Sequence, residues 1–324
     1  MNASQTTERA APITLGAKRD RVKKDKIKWN FKRNWSLHLM ILPALLLVLI
    51  FHYAPLPGLV MGFQSFKPWL GISGSPWVGL AHFKRIFQVD QATRAIINTL
   101  IISGLKIIFE LVVPYMFALF LNEVKNIFFK RTVQSLVYLP HFLSWVILGG
   151  MLIDMLSTDG GIVNRLLGLF NIGPIFFLGD PKWFRFTVIF TDTWKNFGYS
   201  TIVFLAAIAG IDPNLYEASL IDGANRLKQT RHITMPGMLP ITIVVGTLSL
   251  GNILNAGFDQ ILNLYNPLVY SVGDVIDTYV YRISLISGDY GFGTAVGMFK
   301  SVVSFLLIVV AYRLAYKLAD YRIF

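Results

Sequence analysis

The chain has 324 residues, of which 54% are hydrophobic and only 15% are charged, and its mean hydropathy is +0.55. Since about a quarter of the residues in a soluble domain are charged, this composition excludes an ordinary soluble protein and favours a polytopic membrane protein. The sequence contains no cysteine, which excludes disulfides, cysteine-based zinc sites and thiol catalysis, and its five histidines show no ligand-like spacing.

Residues 1–36 form a basic region that contains ten of the 30 Lys and Arg residues. A signal peptide is not expected there, because the apolar run that follows is long and no small-residue cleavage site is evident. One interpretation of this charge, and of the net charge of +12, is an arm that binds nucleic acid. The simpler interpretation is a solvated cytoplasmic tail that orients a membrane domain covering residues 37–324.

Six apolar stretches follow, each with about the 20 residues needed to cross roughly 30 Å of hydrocarbon. They predict an all-α polytopic membrane protein with about six transmembrane helices and with both termini on the same side. The predicted spans cover residues 37–60, 95–121, 133–155, 184–209, 237–257 and 294–316.

The basic residues are distributed unevenly between the two sides of this topology. The N-terminal region, the loops 122–132 and 210–236 and the tail from residue 311 contain 19 Lys and Arg, whereas the three opposite loops contain 7. Because Lys and Arg are enriched in cytoplasmic segments, the first set is predicted to be cytoplasmic. Topology thus explains most of the positive charge without a nucleic acid partner.

The most polar run between two long apolar stretches is the cytoplasmic loop at about residues 210–240. Asp212 predicts an N-cap, followed by a proline in the first turn of a helix. Gly223 predicts a bend, after which a second helix is expected to end at Pro236 and Pro240. A helix, a glycine bend and another helix are more local structure than a simple connection needs.

Ionisable residues inside the predicted spans are costly there, which makes them candidates for function. Lys106 and Glu110 are four residues apart and Asp192 and Lys195 are three apart, so each pair is predicted to share one helical face. These pairs either neutralise each other, face a partner subunit or contact substrate, and the spacing favours the first two. No chain of carboxylates indicates a proton relay.

The longest outer segment, residues 258–292, is rich in Tyr, Asn and Asp. Asn263, Tyr265 and Tyr270 are its candidates for contact with a sugar or a protein partner at the mouth of a cavity. The same composition fits a hydrophilic lid that caps the helical bundle, and the sequence does not separate the two interpretations.

The sequence contains no pattern that predicts catalysis or metal binding. A G-x-x-x-x-G-K-[ST] phosphate loop is absent, so the chain is not expected to bind ATP itself. No Ser/His/Asp set and no metal-ligand cluster stands out. We therefore predict a protein that is not an enzyme and that carries no metal or cofactor of its own.

The loop at about residues 210–240 resembles the cytoplasmic EAA loop of ABC importer permeases, in which an E-A-A triplet precedes D-G-A and I-x-x-P. The spacing agrees throughout, although Ser219 stands at the second alanine and Thr230 stands where an aromatic residue is common. The resemblance implies that this segment couples the permease to an ATPase through Glu217, Ala218, Ser219, Asp222, Gly223, Ala224, Ile233 and Pro236.

A wider resemblance favours the carbohydrate branch of these permeases, which handles oligosaccharides and polysaccharides and includes alginate importers. It rests on Trp77-Val78-Gly79-Leu80, on Asn98-Thr99 and on Asn263-Leu264-Tyr265-Asn266-Pro267. The resemblance implies a type I ABC importer permease fold in a bacterial inner membrane. It also implies a second permease subunit, two ATPase subunits that bind ATP and Mg, a periplasmic or extracellular solute-binding protein and an oligosaccharide substrate.

Three functions remain open from the sequence. An importer permease requires a stoichiometric ATPase, whereas a secondary transporter driven by an ion gradient predicts internal repeats and broken spans, and no convincing repeat is found. A membrane scaffold without transport activity is the third hypothesis. Copurification of an ATPase separates the first hypothesis from the other two.

Overall fold

The computed structural model describes residues 35–319, with side chains as far as residue 313. The predicted basic N-terminal tail and the end of the C-terminal tail therefore lie outside the described residues. Between residues 35 and 319 the regular structure is helical, apart from an isolated β-bridge between Gln64 and Trp77. The α-helices are α1 (Trp35–Val48), α2 (Gly71–Gly74), α3 (Ala81–Gln88), α4 (Asp90–Glu123), α5 (Ile127–Tyr138), α6 (Trp145–Leu156), α7 (Ile162–Gly168), α8 (Pro181–Ala209), α9 (Pro213–Ile221), α10 (Arg226–Gln229), α11 (Met235–Gly251), α12 (Phe258–Leu264), α13 (Tyr270–Gly273), α14 (Ile276–Tyr281) and α15 (Tyr290–Ala319).

The chain divides into two compact units, Met1–Leu56 and Pro57–Phe324. In the first unit the described residues form α1, which is apolar along its length, and a π-helical turn, Leu49–Tyr53. The second unit contains the other α-helices and three clusters of buried apolar side chains.

Four helical stretches of the described chain are long and apolar enough to cross a membrane. A fifth is added if residues 127–142 and 145–156 form one bent span. The predicted count of six is therefore not confirmed. The predicted span 184–209 does form a 29-residue helix, α8, but Arg185, Asp192 and Lys195 lower its hydropathy. The four stretches are Trp35–Phe63, Asp90–Glu123, Arg226–Gly251 and Tyr290–Arg313.

The predicted span 133–155 is not one straight helix. Its first helical part ends with the 3₁₀ turn Leu139–Phe142, and the axis bends by 103° across Leu143 and Ser144 before α6 begins. Both residues have an extended backbone, with ψ 139° and 153°, through which no helix continues. The Lys195 ammonium donates to the His141 carbonyl at 2.7 Å, and the His141 ring stacks on Tyr199 with centroids 4.2 Å apart. Contacts with α8 thus hold the break in place.

The longest packed pair of helices is α4 with α8, which run side by side in the same direction. Near their ends the rings of Tyr115 and Phe204 meet edge to face, with centroids 5.7 Å apart. Phe204 belongs to one of the three clusters of buried apolar side chains, and Met238 of α11 is buried in the same cluster. These three helices form the frame that holds the polar residues described below.

The predicted outer segment 258–292 is not a hydrophilic loop. It forms α12, α13 and α14, and its side chains Gln260, Ile261 and Tyr279 are almost fully buried. Its apolar residues alternate with the Tyr, Asn and Asp residues, so the segment supplies part of the core. Because these side chains are buried, the segment is not the simple hydrophilic lid that the composition allowed.

Candidate coupling surface and polar cavity

The coupling segment, which we define as residues 212–236, begins with the predicted N-cap. The Asp212 carboxylate accepts a hydrogen bond from the Asn214 amide at 3.0 Å. At the other end of α9 the Ala224 amide donates to the Ser219 carbonyl and the Gly223 amide donates to the Leu220 carbonyl, which is a Schellman motif. Gly223 has φ +72°, a value that favours glycine over residues with a Cβ.

Ser219 closes this bend with its side chain. Its hydroxyl donates to the Tyr216 carbonyl at 2.7 Å and accepts from the Gln229 amide group at 2.9 Å. The Tyr216 hydroxyl lies 3.0 Å from the Thr234 hydroxyl. Two side chains of α9 are thus bonded to the helical stretch that follows the bend, a role of Ser219 that the comparison with the E-A-A pattern did not predict.

The prediction that Pro236 and Pro240 end the second helix is wrong. α10, the π-helical turn Thr230–Thr234 and α11 form one stretch, Arg226–Gly251, of 26 residues. Pro236 lies in the first turn of α11 and follows a π turn, where the helical hydrogen-bond register is already shifted. The missing amide hydrogen therefore interrupts the helix less than it would in a regular α-helix.

One face of the coupling segment carries apolar side chains with no cover in the described chain. Ile221 is 88% exposed, Leu227 is 77% exposed and Leu220 is 64% exposed. Glu217 is exposed among them, with no ion pair among the described residues. Of the remaining predicted coupling residues, Ala218, Asp222 and Pro236 are exposed, and Ala224 and Ile233 are half-buried.

A second site lies inside the bundle, around Lys106. Its ammonium lies 3.3 Å from the Asp192 carboxylate and donates to the Ala256 carbonyl at 2.8 Å and to the Gln260 amide oxygen at 2.5 Å. These three acceptors match the three protons of the ammonium. Lys106 is 5% exposed and Asp192 is 7% exposed, so the charged pair is almost fully removed from solvent.

The pairings expected from sequence spacing are not formed as predicted. Lys106 bonds to Asp192 across two helices rather than to Glu110 on its own helix, and Lys195 donates to the His141 carbonyl. Glu110 keeps an electrostatic interaction with Lys106 and also interacts with Asp192 and Asn196. Residues three or four apart on a helix can pair, but the direct contacts of Lys106 and Lys195 are with groups on neighbouring elements of the fold.

Gln260 was missed by sequence reasoning, although it completes the buried cluster. Its amide group donates to the Val188 carbonyl at 2.8 Å and to the Thr191 hydroxyl at 2.9 Å. Gly257, with φ +88°, turns the chain into α12, and a Cβ at this position would lie 2.9 Å from the Lys106 nitrogen. A Gly–x–x–Gln pattern after an apolar span is the only local signal of this arrangement.

A polar cavity of about 250 Å³ opens beside the cluster. Hydroxyl and amide groups of α4, α8, α11 and the turn that follows α11 line it, together with the two carboxylates. They can donate and accept hydrogen bonds, the chemistry that a neutral or charged polar solute requires. The lining residues are Ser103, Lys106, Ile107, Glu110, Asp192, Asn196, Ser249, Asn252, Asn255 and Gly257.

The three candidates from the outer segment lie apart from the Lys106 site. Asn263 and Tyr265 line a separate cavity of about 260 Å³, and Tyr270 lies beside Tyr265 with ring centroids 5.0 Å apart. The Arg282 guanidinium lies 4.2 Å from the Tyr270 ring centroid and pairs with Asp274. Burial, reinforced by Tyr270 and Asp274, raises the pKa of Tyr265 to about 12, so that its hydroxyl keeps its proton.

Comparison with known proteins gives matches that cover most of the chain. Residues 110–324 match the family model described as "Binding-protein-dependent transport system inner membrane component". The polygalacturonan/rhamnogalacturonan transport system permease protein YteP of Bacillus subtilis is 40% identical over 99% of this chain and 100% of its own length. Protein LplB of the same organism is 39% identical over 96% of each chain.

Two solved structures share the fold with a TM-score of 0.82 each. One is a bacterial ABC transporter involved in the import of the acidic polysaccharide alginate, with 40% identity over 89% of this chain and 98% of that chain. The other is a bacterial alginate ABC transporter in complex with an alginate pentasaccharide-bound periplasmic protein, with 39% identity over 90% and 97%.

Proposed function

Because the chain belongs to the family of binding-protein-dependent transport system inner membrane components, we propose that it forms the translocation path of an ATP-driven importer for oligosaccharides. It is a membrane permease subunit rather than an enzyme, and ATP hydrolysis belongs to separate ATPase subunits. We assign ATP and Mg to those subunits and none to this chain.

The observation that carries the proposal is the exposed face of the coupling segment. Ile221 and Leu220 present apolar surface outside the candidate spans, and Leu227 is exposed in the first turn of the stretch Arg226–Gly251. Such surface marks a protein interface. Glu217 adds a charge that a basic residue of the partner can pair with. An ATPase subunit that docks here would move α9 when it closes on ATP, and the capped bend transmits that rigid-body movement to α11.

The polar cavity is the proposed path for substrate. Amides and hydroxyls from three helices and a turn match the hydroxyl-rich surface of a sugar. YteP belongs to a polygalacturonan/rhamnogalacturonan transport system, and the two solved structures are of alginate transporters. We propose an oligosaccharide of this kind, with alginate-type acidic chains as the first to test.

The proposed assembly contains a second permease subunit, two ATPase subunits and a solute-binding protein, in a bacterial inner membrane. A periplasmic protein accompanies one structural relative. Both termini are placed in the cytoplasm on the distribution of Lys and Arg, and no nucleic acid partner is invoked. Transport driven by an ion gradient, weighed as the alternative from the sequence, gains no support from the relatives.

The function is tested by reconstituting the permease with its ATPase and binding protein in liposomes. Uptake of labelled oligosaccharides and ATP hydrolysis should both rise when the binding protein carries its sugar. Uptake that follows an imposed ion gradient and ignores ATP would overturn the proposal. Alginate and galacturonate oligomers, with maltose as the neutral comparison, identify the substrate class.

The proposed orientation has a separate test that uses the absence of native cysteine. Cysteines introduced singly at Ser4 and Ser271 should react with a membrane-impermeant maleimide from opposite sides of a sealed vesicle. Reaction of both from one side contradicts the placement of the N-terminus in the cytoplasm.

A further inference from the structure

A cleft of about 480 Å³ lies where the helical bundle meets the coupling segment. We call it the basal cleft. The last residues of α4 and α8, the middle of α5 and the start of α9 form its walls. The residues on which the argument depends are Asn122, Lys130, Gln134, Leu205, Ile208 and Pro213.

The walls of the basal cleft have two different characters. Leu205, Ile208 and Pro213 are apolar, whereas Asn122 and Gln134 carry amide donors. This combination fits a molecule with a polar head and an apolar body. A small soluble anion would leave the apolar wall unused.

Lys130 is a cation whose counterpart is missing from the described chain. It is half-buried in the wall of the cleft, and its ammonium has no ion pair or hydrogen bond with residues 35–319. A partly buried charge without a partner is costly. An anionic group in the cleft removes that cost.

The first turn of α5, next to this lysine, exposes apolar side chains. Phe128 is 81% exposed, Ile127 is 66% exposed and Phe129 is 55% exposed. Lys125 and Lys130 flank these apolar side chains in the sequence. A short helix that exposes apolar residues next to basic ones is typical of the boundary between membrane and water, the level of lipid headgroups.

We propose that the basal cleft binds an anionic phospholipid. The lipid phosphate pairs with Lys130 and accepts hydrogen bonds from the Gln134 and Asn122 amides, while the glycerol and the start of the acyl chains lie on Leu205 and Ile208. Because Pro213 belongs to α9, the bound lipid contacts the start of the coupling segment. The inference does not depend on which sugar is transported.

The experiment is native mass spectrometry of the purified complex, titrated with phosphatidylglycerol or phosphatidylcholine. Lys130→Gln should weaken phosphatidylglycerol binding about fivefold, as loss of one lysine near an anionic lipid predicts. Lys125→Gln removes an equal charge five residues earlier, outside the cleft, and should leave binding at the level of the unmodified complex. Ala209 at the end of α8 also lines the cleft, so Ala209→Phe, which fills the cleft and keeps Lys130, should also reduce binding.

Equal losses in Lys130→Gln and Lys125→Gln would overturn the site, because they would show a diffuse effect of surface charge. Displacement of the lipid by millimolar inorganic phosphate would assign the cleft to a soluble anion and would also overturn the proposal. Lipid binding is read without ATP, so a failed transport assay and a failed lipid site are told apart.

Discussion

The buried cluster around Lys106 and the coupling segment use polar residues in opposite ways. In the cluster every proton of the Lys106 ammonium has an acceptor inside the chain, at Asp192, Ala256 and Gln260. In the coupling segment the backbone is internally capped, but the Glu217 side chain faces outward with no partner in the described chain. Satisfied polar groups fix this permease's own fold, and unsatisfied ones mark where another molecule docks.

The largest expected effect comes from breaking the satisfied site. Asp192→Asn removes the carboxylate that lies 3.3 Å from the buried Lys106 ammonium, and breaking a buried pair by removing one partner costs about 3–5 kcal/mol. The free energy of unfolding should fall by that amount, measured as thermal stability of the purified permease in detergent. Asp159→Asn, at an exposed position, is the matched control and should change little.

A double variant tests the same Lys106–Asp192 ion pair. Lys106→Met combined with Asp192→Asn removes both charges and should recover much of the stability that Asp192→Asn loses, because neighbouring effects are not additive. If the single variant is as stable as the unmodified chain, the ion pair does not hold α4 to α8.

Glu217→Ala tests the outward-facing site. Its side chain is exposed, so the isolated permease should lose less than about 0.5 kcal/mol of stability. In the complex, a partner charge left unpaired in the interface costs about 2–5 kcal/mol, so the ATPase should copurify poorly and sugar-stimulated hydrolysis should be lost. A pull-down and a hydrolysis assay in parallel measure this, and normal values in both would remove the coupling role.

The bend at Gly223 predicts a smaller, conformational effect. A Cβ there would meet nothing within 4 Å, so space is not the constraint, whereas φ +72° disfavours side chains by about 1–2 kcal/mol. Gly223→Val should therefore lower stimulated hydrolysis, and Gly223→Asn should lower it less because asparagine tolerates this backbone region. Equal effects of the two variants would show that the backbone angle is irrelevant to coupling.

Ser219→Ala carries the smallest expected effect. It removes the bonds to Tyr216 and Gln229, worth about 1 kcal/mol in total, and it restores the residue that importer permeases commonly have at this position. Hydrogen exchange at the backbone of α9 should become faster, while sugar-stimulated hydrolysis is retained. Loss of hydrolysis would show that the contact to Gln229 is required for coupling in this chain.

The two sites also differ in how far the sequence predicts them. The Asp212 cap and the Gly223 bend depend on neighbouring residues, so their patterns were sufficient, and the spacing around Glu217 indicated the family. The partners of Lys106 and Lys195 lie on other helices, and no local pattern contains that information. The helix through Pro236 was misjudged for a related reason, since a π turn is not visible in composition.

Long-range packing also explains the errors in the membrane segments. The span that breaks after Phe142 is held by Lys195 and Tyr199 of α8, which a hydropathy window over residues 133–155 does not include. The sequence assigns Gln260 to an outer loop, whereas in the structure it belongs to α12, which packs inside the bundle. The length of the apolar stretches predicted the helices well, but only the structure shows which helices pack against each other.

The continuity of Arg226–Gly251 makes this stretch a lever arm. One end begins directly after the bend, and Ser249 and Asn252 at the other end line the polar cavity. At a rise of 1.5 Å per residue its 26 residues extend about 39 Å, so a tilt of about 5° at one end displaces the other by about 3 Å. That displacement is comparable to the length of a hydrogen bond, so a slight rotation of the coupling segment is enough to make or break contacts with a solute in the cavity.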